Sequence, residues 1–236
     1  MGRIFEVRKS KMFARYDRMA KQFTRIGKEI AIAVKKGGAD PETNPALRRV
    51  MQNGKSLNMP KDRIEGAIKN ALGKDHSNYD EVLYEGYAPH GVAILVETAT
   101  DNTTRTVANV RSLFNKTGGT LGNSGSVAFT FKRCGVFKLN NAGLDMEELE
   151  LELIDFGLDE VGDDEEGNII LRTDYTEFGN MQKALEERNI EPISSELEWI
   201  PLNTVEVSDE QAEDVFKLIE RVEQDDDVQR VFHNMA

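Results

Sequence analysis

Apolar residues recur at steps of three and four through the first seventy positions, and this spacing predicts helices. Met19, Phe23, Ile26, Ile30, Ala33 and Val34 form one apolar helix face. Gly37-Gly38 ends that helix, because glycine accepts the left-handed cap conformation. A second helix starts at Asn44-Pro45, an N-cap residue followed by proline at the first helical position, with Leu47, Val50, Met51 and Leu57 as its face. A third starts at Pro60, runs through Ile64, Ala67, Ile68, Ala71 and Leu72, and stops at Gly73. The polar span from Lys74 to Asp80 reads as a linker.

Beyond it the pattern changes. Val92–Val96 is a short apolar run, read as a buried strand. Asn102-Thr103 caps a helix with the face Val107, Val110 and Phe114, and Val127, Phe129 and Phe131 alternate as a half-buried strand should. A second cycle follows. Val136–Leu139 reads as a strand, Met146 to Phe156 as a helix, and Leu158 to Leu171 as a hairpin around the acidic turn Gly162–Gly167. Phe178, Met181 and Leu185 mark a helix, and Ile193, Leu197 and Trp199 a closing strand. That order, strand-helix-strand-strand-helix-strand, is ferredoxin-like. The tail adds a strand at Val205–Val207, a helix opened by the capping-box pair Ser208 and Gln211, and a strand at Val228–Phe232. The expected fold is therefore α+β: a helical N-terminal domain over residues 1–76, then two ferredoxin-like α/β domains. One comprises residues 77–132 plus 203–236, and the other, residues 133–202, is inserted in it. The tail helix merely decorating two consecutive domains is the alternative.

Charge divides the chain in the same way. The 236 residues hold 30 Lys+Arg and 42 Asp+Glu, a net charge of −12. Residues 1–76 carry 18 Lys+Arg and 8 Asp+Glu, a balance of +10, while residues 77–236 carry 12 and 34, a balance of −22. Such asymmetry marks a basic binding part on an acidic body. Cations neutralise backbone phosphates and release counterions, so the basic part points to nucleic acid. The residues expected at phosphates are Arg3, Arg8, Lys9, Lys11, Arg15, Arg18, Lys21, Arg25, Lys28, Lys35 and Lys36 on the first helix. Arg48, Arg49 and Lys55 on the second and Lys61 and Arg63 on the third extend the set. Phe5, Phe13 and Tyr16 are interleaved with these cations, where they either stack on bases or pack inward. Arg105, Asn109, Ser112 and Lys116 share one polar helix face, either a second binding stripe or a solvated surface.

Other chemistry finds little support. Cys134 is the only cysteine, so no intrachain disulfide or cysteine zinc cluster forms. His76, His90 and His233 lack metal-ligand spacing, and no serine sits in a nucleophile motif. Gly118-Gly119-Thr120-Leu121-Gly122-Asn123-Ser124-Gly125-Ser126 follows a helix and precedes a strand, the reverse of a phosphate cradle, and reads as a shaped turn. The expectation is a non-enzyme without metal, cofactor or small-molecule substrate. No run of about 20 apolar residues suggests a membrane span, the charged N-terminus lacks a signal-peptide core, and a cytoplasmic location follows.

Five separated segments carry a resemblance. Lys36-Gly37-Gly38-Ala39-Asp40-Pro41, Asn58-Met59-Pro60-Lys61-Asp62, Tyr84-Glu85-Gly86-Tyr87, Thr100-Asp101-Asn102, and Gly118-Gly119-Thr120-Leu121-Gly122 through Gly125-Ser126-Val127-Ala128 are similar to the YebC/PmpR family. The resemblance spans nearly the whole chain. It implies a helical domain and two α/β domains, one inserted in the other, and a DNA-binding transcriptional regulator. Family members that act in translation, including the mitochondrial translational activator of cytochrome oxidase subunit one, imply a ribosome- or RNA-associated activator instead. A third reading is an adaptor that binds proteins through its acidic α/β domains. The sequence departs from the family's usual start at Gly2-Arg3-Ile4-Phe5-Glu6. It departs again at Ala88-Pro89-His90-Gly91, where the family has Gly-Pro-Gly-Gly.

Overall fold

Asn44 ties the first two helices together. The computed structural model describes residues 3–73 and 78–236, with side chains from Met19 onward. Helix α1 spans Arg3–Gly37, α2 Pro45–Ser56 and α3 Lys61–Ala71. The buried Asn44 side chain accepts from Leu47 N at 3.1 Å, capping α2, and its amide donates to Ala33 O at 2.8 Å and Gly38 O at 2.7 Å. One side chain thus satisfies the end of α1 and the start of α2 together. Asn58, at φ 58°, makes the left-handed turn into α3. A methyl group added at Gly54 of α2 would lie 3.3 Å from Ile26 and 3.4 Å from Ile64, so the three helices meet there. Their shared core is Ile26, Ile30, Val34, Leu47, Val50 and Ile64. Each such residue, fully buried, contributes about 1.5–3 kcal/mol.

The chain divides into two compact units, Met1–Tyr79 and Asp80–Ala236. The second unit contains two four-stranded antiparallel sheets. In the first, β1 (Asp80–Tyr87) forms a hairpin with β2 (Ala93–Thr100), flanked by β3 (Thr120–Leu121) and β8 (Val228–His233), in the order β3-β1-β2-β8. Helices α4 (Thr103–Lys116) and α7 (Asp209–Val222) pack Val110, Phe114, Val215, Leu218 and Val222 on Ile94 and Val96. The second sheet holds β4 (Phe131–Leu139), β5 (Leu158–Asp163), β6 (Ile169–Asp174) and β7 (Ser194–Pro201), in the order β5-β6-β4-β7. With α5 (Met146–Leu153) and α6 (Phe178–Glu187) it follows the ferredoxin-like order, over a core of Phe137, Leu139, Leu153, Ile169, Leu171, Met181 and Leu185. The two sheets meet through Leu95, Val127 and Phe131, packed by Trp199 and Phe232. Trp199 Nε1 donates to Glu97 at 2.8 Å, and Arg230 pairs with Glu196 at 2.8 Å.

Three local expectations are corrected. Val127, Phe129 and Phe131 are not a strand: Ala128–Thr130 is a short 3-10 turn, Phe129 is 70% exposed, and β4 begins at Phe131. The alternation came from a turn that buries its two ends. The missing strand is β1, so this sheet's elements run strand, strand, helix, strand, then helix and strand after the second sheet. Val205 makes only an isolated parallel bridge to Met235 rather than a strand.

Candidate nucleic-acid interface

The glycine-rich loop after α4 is built around a carboxylate. Glu85 on β1 is 4% exposed and accepts from three backbone N–H groups: Gly125 at 2.6 Å, Val127 at 2.7 Å and Ala128 at 2.7 Å. Burial pushes its pKa up, but the three donors outweigh burial and hold the carboxyl below its ordinary value. At Gly119 the loop lies so close to β1 and α7 that a side chain is excluded, and at Gly122 the loop's own Ser126 takes the space. A Cβ at Gly119 would lie 2.6 Å from Leu218 Cδ1 and 2.8 Å from Tyr87 O, and one at Gly122 would lie 2.4 Å from Ser126 Oγ. Its backbone donors are turned toward Glu85, which already occupies the place of an anion.

The expected second stripe is largely spoken for. Asn102 caps α4 by accepting from Arg105 N at 3.0 Å. Arg105 pairs with Asp101 and with the buried Asp227, both at 2.7 Å. Asp227 also accepts from Thr106 at 2.8 Å and Thr100 at 3.2 Å. Asn109 donates to Asp225 at 3.1 Å. Of the charged residues in the stripe, Lys116 alone stays exposed and outside these pairs.

The N-terminal set sorts by burial. The side chains of Arg3, Arg8, Lys9, Lys11, Arg15 and Arg18 lie outside the described residues. Lys35, Lys36, Lys55, Lys61 and Arg63 are exposed, and Lys21, Arg25, Arg48 and Arg49 are half-buried. Lys28 is placed differently: it is 8% exposed, with its ammonium 5.2 Å from the centre of the Tyr79 ring. Its long stem packs inside the bundle, which lysine allows. Arg48 donates to Pro41 O at 2.9 Å, bracing the α1–α2 turn. Arg63 lies 5.8 Å from the centre of the Phe23 ring, which draws α3 to the same stretch of α1 as Lys21 and Arg25. Lys69, exposed in the last turn of α3, joins this set.

Two cations were not singled out by sequence reasoning. Lys217 and Arg221, four apart on α7, face Lys116 across a groove whose lining includes Leu113, Glu220 and Gln224. The four-residue spacing was visible, but α7 showed only its apolar face as a signal. Among the described residues no group of three or more His, Cys, Asp or Glu is placed to hold a metal ion, and no helix is long and apolar enough to cross a membrane.

Comparison with known proteins covers both units. Residues 3–74 match the TACO1/YebC protein N-terminal domain, and residues 79–235 match the TACO1/YebC second and third domain. A probable transcriptional regulatory protein of Myxococcus xanthus is 57% identical over 100% of both chains. One of Cytophaga hutchinsonii is 58% identical over 100% of this chain and 99% of its own. The crystal structure of a conserved hypothetical protein from Aquifex aeolicus superposes with a TM-score of 0.80 at 37% identity, covering 92% of this chain and 90% of that one. Matched along both units and sharing the fold of that crystal structure, the chain belongs to the TACO1/YebC family.

Proposed function

We propose that this chain is a nucleic-acid-binding regulator of gene expression, and that duplex DNA is its first target. The observation that carries the reading is a coincidence of two boundaries. The change in charge falls at residue 76, and the division into compact units falls between Tyr79 and Asp80. Residues 77–79 carry no charge, so the unit Met1–Tyr79 keeps the whole +10 balance and the rest keeps −22. A folded body with that imbalance attracts polyanions, while the acidic remainder turns them away. The relatives' names, probable transcriptional regulatory protein, agree with this reading.

A second reading, association with ribosomal RNA in translation, is favoured by where the cations stand. Lys35 and Lys36 end α1, Lys55 ends α2, and Lys61 begins α3. Cations at helix ends and turns suit phosphates, whereas a reading helix carries its base contacts in a row. Phosphate contact serves DNA and structured RNA alike.

The test is a salt titration of the full chain on duplex DNA and on a ribosomal RNA fragment. With about five phosphates neutralised, the log–log slope on duplex should be about −4 to −5. Replacing Lys35, Lys36, Lys55 and Lys61 together by alanine should flatten it by about 3 and weaken unrelated sequences alike. An unchanged slope in that folded variant overturns the assignment. Selectivity of about 1000-fold for one DNA site at physiological salt would replace it with an operator-binding repressor.

A further inference from the structure

The second unit is acidic, with 12 Lys+Arg against 34 Asp+Glu, and most of its cations are neutralised. Arg105, Lys132, Lys138, Arg172, Lys183, Arg188 and Arg230 each sit within 4 Å of a carboxylate. The groove between α4 and α7 departs from this pattern. It gathers Lys116 from α4 with Lys217 and Arg221 from α7, all exposed, around a half-buried Leu113. Lys116 and Arg221 have no ion pair among the described residues. Lys217 shares Asp214 at 3.1 Å with His90, whose ring approaches the same carboxylate from its other side at 3.2 Å. Glu220 is the one carboxylate in the lining, and Gln224 adds an amide that can donate.

Solvated cations packed side by side repel one another, and of these three only Lys217 has a carboxylate partner. The fold brings these three together from helices about a hundred residues apart in sequence. The helices themselves are fixed by Val110, Phe114, Leu218 and Val222 beneath. Asn109 and Asp225, bonded to each other at 3.1 Å, lie outside the lining, which carries Lys116, Lys217 and Arg221.

We propose that the α4–α7 groove is a second phosphate-contact site, taking the backbone of the same nucleic acid that the N-terminal unit engages. This rests on the reading of the chain as a nucleic-acid binder. Charge complementarity selects the occupant. Three cations on a concave surface match consecutive backbone phosphates, and the apolar floor at Leu113 accepts a sugar edge. Glu220 opposes the anion and sets the site's modest strength.

The experiment uses the full chain on a 30-base-pair duplex or a structured ribosomal RNA fragment of similar length, whichever it binds more tightly. Lys116→Ala with Arg221→Ala should lower the magnitude of the log–log salt slope by about 1.5 to 2 and weaken binding roughly tenfold. The denaturant midpoint should stay unchanged, since both side chains are exposed. Lys116→Arg with Arg221→Lys should restore the slope. Glu220→Gln should tighten binding about two- to threefold, which loss of a merely structural residue does not do. Arg111→Ala, which removes an exposed α4 cation outside the groove, should leave the slope alone. An unchanged slope in the Lys116/Arg221 variant, or an equal loss with Arg111→Ala, overturns the groove. If the groove variant binds normally while the four-lysine N-terminal variant does not, this inference fails and the function stands. If the four-lysine variant binds normally, the functional reading fails.

Discussion

The two units treat their charges in opposite ways. In Asp80–Ala236, cations are instruments of folding: Arg105 locks α4 to the buried Asp227, Lys138 holds the β5–β6 turn through Asp164 at 2.7 Å, and Arg133 stacks 4.7 Å from the centre of the Tyr175 ring. In Met1–Tyr79, exposed Lys35, Lys55 and Lys69 have no carboxylate partner among the described residues, and the fold is held instead by apolar packing and the Asn44 hub. Where acids outnumber bases almost threefold, most cations find a partner within the fold, and exceptions such as Lys116 and Arg221 stand out. Where bases are in excess, some must face outward. Residue type alone therefore does not identify a binding cation; the local surplus does.

The largest way to sharpen this contrast is to remove the charge that organises the second unit's loop. Glu85→Ala strips the acceptor from three backbone N–H groups, one buried and two part-buried, and should destabilise Asp80–Ala236 by about 2–3 kcal/mol, read as a shift in denaturant midpoint. Loss below about 1 kcal/mol would show that the loop has other support. The pH dependence follows from the lowered carboxyl pKa. Glu85 stabilises the fold at pH above the ordinary carboxylate range, and that contribution fades as pH falls through its lowered value. Glu85→Gln should therefore flatten the acid limb of the stability profile.

A smaller effect separates folding from binding. Gly119→Ala places a methyl group against Leu218 and the Tyr87 carbonyl and should cost about 1–3 kcal/mol. Nucleic-acid affinity of the folded variant should stay within about twofold, because the loop's donors serve Glu85. Unchanged stability with lost affinity would move the binding surface onto this loop. Here the constraint is the nearness of neighbouring atoms, not backbone torsion: Gly118 and Gly125 have positive φ, whereas Gly119 and Gly122 do not.

The smallest effect has the opposite sign. Burial and the neighbouring Glu196 raise the pKa of Glu198 on β7, so its ionised form is disfavoured in the fold. Above that raised value the charge subtracts from stability, and Glu198→Gln should raise the midpoint slightly at neutral pH and lose the advantage in acid. A lowered midpoint at neutral pH would show that the carboxylate is paired favourably.

Much of the fold was written in local patterns, and the site was not. The three N-terminal helices follow directly from apolar spacing, and Asn44, Asn58 and Asn102 stand where turns and caps need them. The segments that resembled a family prove to be structural devices: Gly37-Gly38 ends α1, Asn58-Met59-Pro60 turns the chain into α3, and Glu85 organises the glycine loop. They point to a fold rather than a surface. Strand β1 was missed because its buried Glu85 interrupts the apolar alternation that marks a strand. Asp101, four residues before Arg105, was in view, but Asp227 and Asp225, which also hold Arg105 and Asn109, lie 122 and 116 residues away and only the fold brings them there. Lys28 looked like every other cation of α1, and only packing put it inside. Lys217 and Arg221 needed the neighbouring helix to become a groove.

The central claim is that nucleic acid is held chiefly by the basic unit. Its most direct test compares the full chain with a truncation that begins at Asp80, both titrated with labelled duplex and ribosomal RNA at about 0.15 M salt, with folding checked by circular dichroism. The account predicts a folded truncation whose affinity falls on the order of 100-fold or more, leaving at most the weak contribution of the α4–α7 groove, with a salt slope of magnitude about 2 or less. A folded truncation that binds as tightly as the full chain, with the same slope, would contradict it.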